Sequence, residues 1–550
     1  MQHPASASDS ALRLAVDVRS LPWMRRLAVD YAFQFDRLAP FFAGDPASPA
    51  AWSEAIGRAQ RHQRPRPAIA AMLRAQQERR GSPAEALAAA ATLSDDASIA
   101  VVTGQQAGLF GGPLFTLLKA VTAIRLARRL GRDHGVPAVA VFWIDAEDHD
   151  WQEVESCGVL GTDDNLQSIR VEPPAGAGEA TIASLQFTDA VAAARDSLAA
   201  ALPQTEFTAG LLSTLADAYR PGRGVADAFA RLLDAVLGPQ GLVVYDASDP
   251  AAKTLAAPVF RRELEHPGRT ARLATEAGEG LAARGYHAQV TPNPASAALF
   301  DLQGGRRAIR ASGDGYLIGD DPVGLQALQA RVVERPETFS PNVLLRPIVQ
   351  DTIFPTVCYV AGPNELGYLG QLRGIYEAFG VPMPLMQPRA TATVLDSAGV
   401  RFLSRYKVPL ASLEAQDEHA LNELLRAQLP AAVERSMQEA DAEIAARMEA
   451  VIRAVPVVDP TLEGAARSTL GKLQHDLRTL SGKILQAAKR RDETLRRQFQ
   501  HVRAQAFPGG VPQERSVAFI SFLNKYGPAF VDRLAAELPV DAGTHWVITI

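Results

Sequence analysis

Four titratable side chains, Glu147, Asp148, His149 and Asp150, stand in consecutive positions two residues after the apolar run VFWI (141–144). Carboxylates this crowded repel one another unless a cation or a proton lies between them. The cluster therefore suits a Mg2+ ion held by Glu147 and Asp148, removal of a proton from an amine with His149 taking part, or both. The competing reading is local, because acidic residues cap the helix that follows a strand, and Asp145 or Asp150 would then do only that. A second stretch, VVTGQQAGLFGGPLFTLLKA (101–120), runs from an apolar segment through two glutamines and several glycines into a helical pattern. Glycine at such a turn lets a phosphate or carboxylate approach unpaired backbone N–H groups at a helix start, which nominates Gly104, Gln105, Gln106 and Gly108 as binding residues. The pattern is neither G-x-G-x-x-G nor a Walker A loop, and the alternative is a tight turn packed in the core. Lys119 follows Pro113 by about 10 Å of helix at 1.5 Å per residue, so it is assigned to structure rather than to a phosphate.

Two more constellations sit near the fourth apolar run. RPIVQDTIFP (346–355) carries Arg346, Gln350 and Asp351. Arg346 suits a carboxylate or phosphate clamp, with a surface salt bridge as the equal alternative. GPNE (362–365) places Gly362 in a turn and Glu365 at a helix start, where it either holds an ammonium group or caps the helix. The segment KRRDETLRRQFQHVR (489–503) is basic, and a solvated helix face accounts for it better than contact with an acidic ligand or RNA.

The elements that must position these residues are legible as continuous apolar runs. SIAVVTG (98–104), PAVAVFWI (137–144), GLVVYD (241–246) and PTVCYVAG (355–362) each end in a turn or carboxylates, and most lead into a helical pattern. Runs apolar on both faces are the mark of parallel strands covered by helices, so the fold class is α/β with a Rossmann-like parallel sheet, whose ligands bind at the carboxyl ends of the strands. Residues 1–95 form a helical lead-in, and 96–388 the core, with insertions near 161–240 and 285–340, the latter β-rich. Residues 389–550 form a C-terminal helical domain. There Leu470, Leu473, Leu477, Leu480, Ile484 and Ala487, with Val433, Met437, Ala440, Ile444, Met448 and Val451 upstream, keep 3-4 spacing and predict an antiparallel coiled-coil hairpin.

Composition narrows the partners. The 550 residues include 56 basic and 61 acidic side chains, a net charge of -5, which lacks the basic excess of a dedicated nucleic-acid binder. Only Cys157 and Cys358 occur, without metal-ligand spacing, and read as buried thiols of a cytoplasmic protein. The first 20 residues show no signal-peptide pattern. No charge falls between Asp96 and Lys119, but the glycines, proline and glutamines within that stretch exclude a membrane span.

Taken in order, VVTGQQAGLFGGP, VFWIDAEDHDW, GLVVYDASDP, RPIVQDTIFPTVCYVAGPNELGY and the late PQERSVAFISFLNKYG (512–527) resemble the cysteine ligase family of bacillithiol biosynthesis, BshC. The resemblance spans most of the chain, and departs from the family pattern at Asp145 and at residues 291–294. It implies a Rossmann-like core with connective insertions, related in architecture to class I aminoacyl-tRNA synthetases, and a coiled coil used to form a homodimer. It further implies an amide bond between L-cysteine and glucosaminyl-malate. Because that amide is uphill from a carboxylate and an ammonium ion, ATP with Mg2+ is the expected activating pair. On this reading Gly104 to Gly108 receive the phosphates, the 147–150 cluster binds Mg2+ or takes the amine proton, and Arg346 binds a malate carboxylate. Two rivals stay open: an enzyme that adenylates another carboxylic acid, and a non-catalytic coiled-coil binding protein of the same pathway.

Overall fold

The computed structural model describes residues 13–313 and 315–549. The first twelve residues of the stretch read as lacking a signal peptide lie outside that range. A short strand, Arg13–Asp17, precedes the lead-in helices Arg26–Phe33, Pro49–Arg61, Arg66–Arg80 and Ala84–Thr92.

The core is a five-stranded sheet of β1 (Ile99–Gln105), β2 (Ala138–Ile144), β3 (Val243–Asp246), β4 (Thr356–Ala361) and β5 (Leu385–Pro388). Its order is β5-β4-β1-β2-β3, and every pair is parallel. Both faces are covered, so nearly every residue of these strands is buried. That is why they read as unbroken apolar runs instead of alternating ones. β5, of sequence LMQP, was not anticipated, because four residues ending in proline leave no apolar run to see.

Helix α1 (Leu114–His134) follows β1, α2 (Pro250–Glu265) follows β3, and α3 (Arg346–Ile353) precedes β4. Between β2 and β3 lie a two-stranded ribbon and the helices Ala190–Ala201, Thr208–Ala218 and Val225–Leu237. The β-rich insertion is a five-stranded antiparallel sheet built from Ser296–Asp301, Arg307–Ser312, Gly315–Ile318, Asp321–Gly324 and Phe339–Pro341.

The chain divides into two compact units, chiefly Ala15–Thr393 with Pro512–Ile548, and Val394–Val511. Residues 512–548 thus pack with the sheet. The Leu114 N–H at the start of α1 donates to the Val517 carbonyl at 2.8 Å. The second unit contains the hairpin of α4 (Ala431–Ala454) and α5 (Leu462–Arg491), bridged by Arg467 and Glu449 at 4.0 Å. Its seam differs from the expected one. Ile452, Ala466 and Leu485 are buried and Leu470, Leu477 and Ile484 half-buried, whereas Leu473 and Leu480 stay 38% and 48% exposed. Over most of its length α5 is covered on one side only, by α4, so it turns one leucine row inward and leaves the other outside. No helix among the described residues is long and apolar enough to cross a membrane.

Candidate active site

The strand order reverses between β1 and β4, because the chain proceeds from β1 to β2 and β3 and then returns to the other flank of β1. Crossover helices diverge at such a point and leave a crevice beyond the carboxyl ends of the strands. A cavity of about 860 Å³ opens there, lined from the β1 end by Gly104, Gln105, Gln106 and Gly108, from the β2 end by Asp145, Glu147 and Asp148, and from the β4 side by Gly362 and Glu365. Arg346 at the start of α3 also faces it. Four sequence-nominated residues do not line it: His149 and Asp150 lie at or beyond the rim, and Gln350 and Asp351 lie behind Arg346.

The glycines of the turn answer a packing requirement. A Cβ on Gly104 would meet the Trp143 carbonyl oxygen at 2.8 Å. At Gly111, whose φ is +90°, it would sit 2.4 Å from the Phe519 ring. The expected phosphate cradle is largely occupied from within: the N–H groups of Gly108, Gly111, Gly112 and Leu114 donate to Gln106, the Tyr219 hydroxyl, Leu109 and Val517 respectively. What the turn presents to the cavity is its pair of glutamines.

These glutamines form the middle of a polar chain. Glu365 accepts from Lys119 at 2.6 Å, and the Lys119 ammonium donates to the Gly104 carbonyl at 2.9 Å and to Gln105 Oε1 at 3.1 Å. Gln105 donates to Gln106 at 3.0 Å, and Gln106 donates to Asp148 at 3.3 Å and to Glu153. Lys119, which helical rise seemed to place too far away, reaches the site because helical side chains lean toward the N-terminus. Burial opposes the charged form of Glu365, but the Lys119 ammonium outweighs it and holds the carboxyl below its ordinary pKa. Glu365 thus takes the ammonium-holding role, with an ammonium from its own chain.

The acidic cluster divides among several tasks. Glu147 is buried and forms an ion pair with Lys253 of α2, whose ammonium also donates to the Phe339 carbonyl at 2.9 Å. Burial raises the Glu147 pKa against the pull of that lysine. Asp148 accepts from the His149 N–H at 2.7 Å as well as from Gln106. These bonds overcome its burial and lower its pKa. His149 is half-exposed, with Nδ1 3.3 Å from both Asp148 and Arg306. Asp150 accepts from the Gln152 N–H as the cap of a short helical turn. Asp145 has no side-chain hydrogen bond among the described residues, and burial, opposed by Arg346, raises its pKa.

Arg346 is only 8% exposed. Its guanidinium donates to Gln350 at 3.2 Å and to the Tyr368 hydroxyl at 3.3 Å, and lies 5.7 Å from the ring centres of both Trp143 and Tyr359. No carboxylate comes within 4 Å of it among the described residues. Gln350 is thus a support for Arg346, and Asp351 is a core group bonded to Gln350 and Tyr376. Sequence reasoning missed Lys253 and Arg306. The only signal for Lys253 is a lone lysine in an alanine-rich helix, and for Arg306 a GGRR turn in a segment noted only as β-rich.

The donor set does not fit a dedicated metal site. Glu147 is neutralised by Lys253, and no group of three or more metal-ligating side chains converges among the described residues. A nucleotide or another anion fits better, since Arg306, Arg346 and Arg515 line the cavity with no carboxylate within 4 Å among the described residues. Cys157 and Cys358 are buried, and burial raises both thiol pKa values, that of Cys157 to about 12, so neither is a nucleophile.

Comparison with known proteins agrees with this architecture. The family model for the N-terminal Rossmann-like domain of the bacillithiol biosynthesis protein BshC matches residues 14–390, and that for the BshC C-terminal coiled-coil domain matches residues 392–550. A protein of Salinibacter ruber named "Putative cysteine ligase BshC" is 34% identical over 95% of this chain and 96% of its own length. Proteins of the same name from Koribacter versatilis and Chlorobaculum tepidum are 32% and 33% identical, over 94% and 80% of this chain and 96% and 81% of their own. The chain belongs to the BshC family of bacillithiol biosynthesis.

Proposed function

We propose that this protein is a cysteine ligase that forms the amide between the carboxyl group of L-cysteine and the amine of glucosaminyl-malate. The observation that carries the reading is Arg346, a buried cation with no carboxylate within 4 Å among the described residues, facing a cavity at the switch point of the sheet. A buried charge without a contacting counter-ion is costly, and its retention is accounted for when an anionic ligand completes it. The malyl group of the acceptor supplies such an anion. Asp145, a carboxylate with no side-chain hydrogen bond among the described residues and with a pKa raised by burial, lines the same cavity as the acceptor for the amine proton. The Glu365–Lys119–Gln105–Gln106 chain lines the same cavity and is fixed by its own hydrogen bonds.

ATP supplies the free energy that an amide from a free carboxylate and an ammonium ion requires, and Arg515, on the cavity lining with no carboxylate within 4 Å among the described residues, is the group that would meet its phosphates. No step is assigned to Mg2+ bound by Glu147 and Asp148. We place the reaction in the cytoplasm and the protein in a homodimer, for which the exposed row of Leu473 and Leu480 offers the apolar surface. The test is mass spectrometry of purified protein incubated with L-cysteine, glucosaminyl-malate, ATP and Mg2+. Bacillithiol with AMP marks an adenylating ligase, and bacillithiol with ADP an acyl-phosphate route. No bacillithiol, with nucleotide consumed on another carboxylic acid, replaces the reading with the adenylating alternative.

A further inference from the structure

We propose that Arg306 is a specificity residue of this cavity, taking the second carboxylate of the malyl group while Arg346 takes the first, so that the site selects a dianionic acceptor. The inference rests on the ligase reading above. Two of the cations lining the cavity are already neutralised: Lys119 by Glu365, and Arg389 by Glu514 through two hydrogen bonds of 2.9 and 2.7 Å. Arg515 is exposed to solvent. Arg306 and Arg346 remain, each partly or wholly withdrawn from water and each without a carboxylate within 4 Å among the described residues.

Arg306 is held in place without being satisfied. Its guanidinium lies 3.6 Å from the centre of the Phe300 ring, which fixes the plane of the fork. Its hydrogen bond to His149 Nδ1 spans 3.3 Å, and its Nε is buried with no partner. No nearby acid completes it by contact: Glu147 is held by Lys253, Asp148 by the His149 N–H and Gln106, and Asp145, whose charge also acts on Arg306, makes no ion pair with it within 4 Å among the described residues. A stacked, oriented fork whose Nη2 makes no hydrogen bond among the described residues suits a carboxylate. Arg306 comes from the β-rich insertion and Arg346 from the core, and both line the one cavity. A monocarboxylate leaves one cation unmet.

The test uses the full chain and two simple probes, malate and its monocarboxylate counterpart lactate, with affinities measured by titration calorimetry or ligand-observed NMR. Wild type is expected to prefer malate by about tenfold or more, the scale of one charge-assisted hydrogen-bonded contact. Arg306→Gln should lose that preference while binding lactate as wild type does, and Arg306→Lys should recover part of it. In ligation, the same Gln variant should raise KM for glucosaminyl-malate and leave KM for cysteine unchanged. The proposal is overturned if wild type shows no preference, if Arg306→Gln leaves malate affinity intact, or if it weakens both probes equally as a folding defect would. Loss of ATP affinity with malate binding retained would assign Arg306 to the nucleotide and also overturn it. A wild-type protein that binds malate through Arg306 yet makes no bacillithiol removes the ligase reading and leaves the dianion site standing.

Discussion

Replacing Arg346 with glutamine separates a residue kept for a ligand from one kept for the fold. The guanidinium is 8% exposed, bonded to Gln350 and Tyr368 and flanked by two aromatic rings, yet it faces no carboxylate within 4 Å among the described residues. Removing it breaks no ion pair within 4 Å among the described residues and withdraws only the longer-range charge that opposes the burial of Asp145, and the shorter amide can still hydrogen-bond to its neighbours. Stability should therefore change by no more than about 1 kcal/mol, against about 3–5 kcal/mol when one member of a buried ion pair is deleted. Binding should behave in the opposite way. A hydrogen bond to a charged group is worth about 1.5–3 kcal/mol, so KM for the anionic acceptor should rise about 10- to 150-fold. Arg389→Gln is the internal control, because it leaves Glu514, only 6% exposed in its side chain, without its bidentate partner and should destabilise by the larger figure. Thermal unfolding and steady-state ligation on the two variants check both halves. Strong destabilisation by Arg346→Gln with KM unchanged would make Arg346 a structural cation and refute the reasoning.

Three further outcomes are expected. Lys253→Met should destabilise by about 3–5 kcal/mol because it strands Glu147, and adding Glu147→Gln should restore most of the loss; a double-mutant cycle with no coupling would show that the pair carries no such role. Burial raises the Asp351 pKa from 3.8 to about 6, so the folded state binds a proton that the unfolded chain has released. The resulting stabilisation is fully present below pH 3.8 and is lost as pH climbs to about 6. Relative to Asp351→Asn, wild type should thus lose about 3 kcal/mol over that interval in unfolding measurements, and a pH-independent difference would contradict the assignment. Leu473→Lys with Leu480→Lys should dissociate a dimer built on the outer leucine row while the hairpin stays helical, as judged by sedimentation and circular dichroism; an unchanged oligomer would move the contact elsewhere.

The sequence alone determined the features that local patterning encodes. Strands covered on both faces must be apolar throughout, so β1 to β4 stood out, and the parallel α/β class followed. Their carboxyl ends were marked by glycines and acids, which nominated Gln105, Gln106, Glu147 and Asp148, while Arg346 was nominated only as a clamp or a surface salt bridge ahead of the fourth strand. The helical hairpin was legible from its leucine spacing, although which leucine row faces inward was not, because 3-4 spacing describes a stripe and only the neighbouring helix decides how the stripe is turned. Tertiary structure alone decided what each charge is for. Lys253 lies 106 positions from Glu147 and Lys119 reaches back to Glu365, so two groups that looked available for chemistry are neutralised by the chain itself. Arg306 and Arg346, 40 residues apart, are brought to one cavity by the return of the chain across β1. Pairing of charges depends on distances of a few ångströms between segments remote in sequence, and no local pattern records that distance.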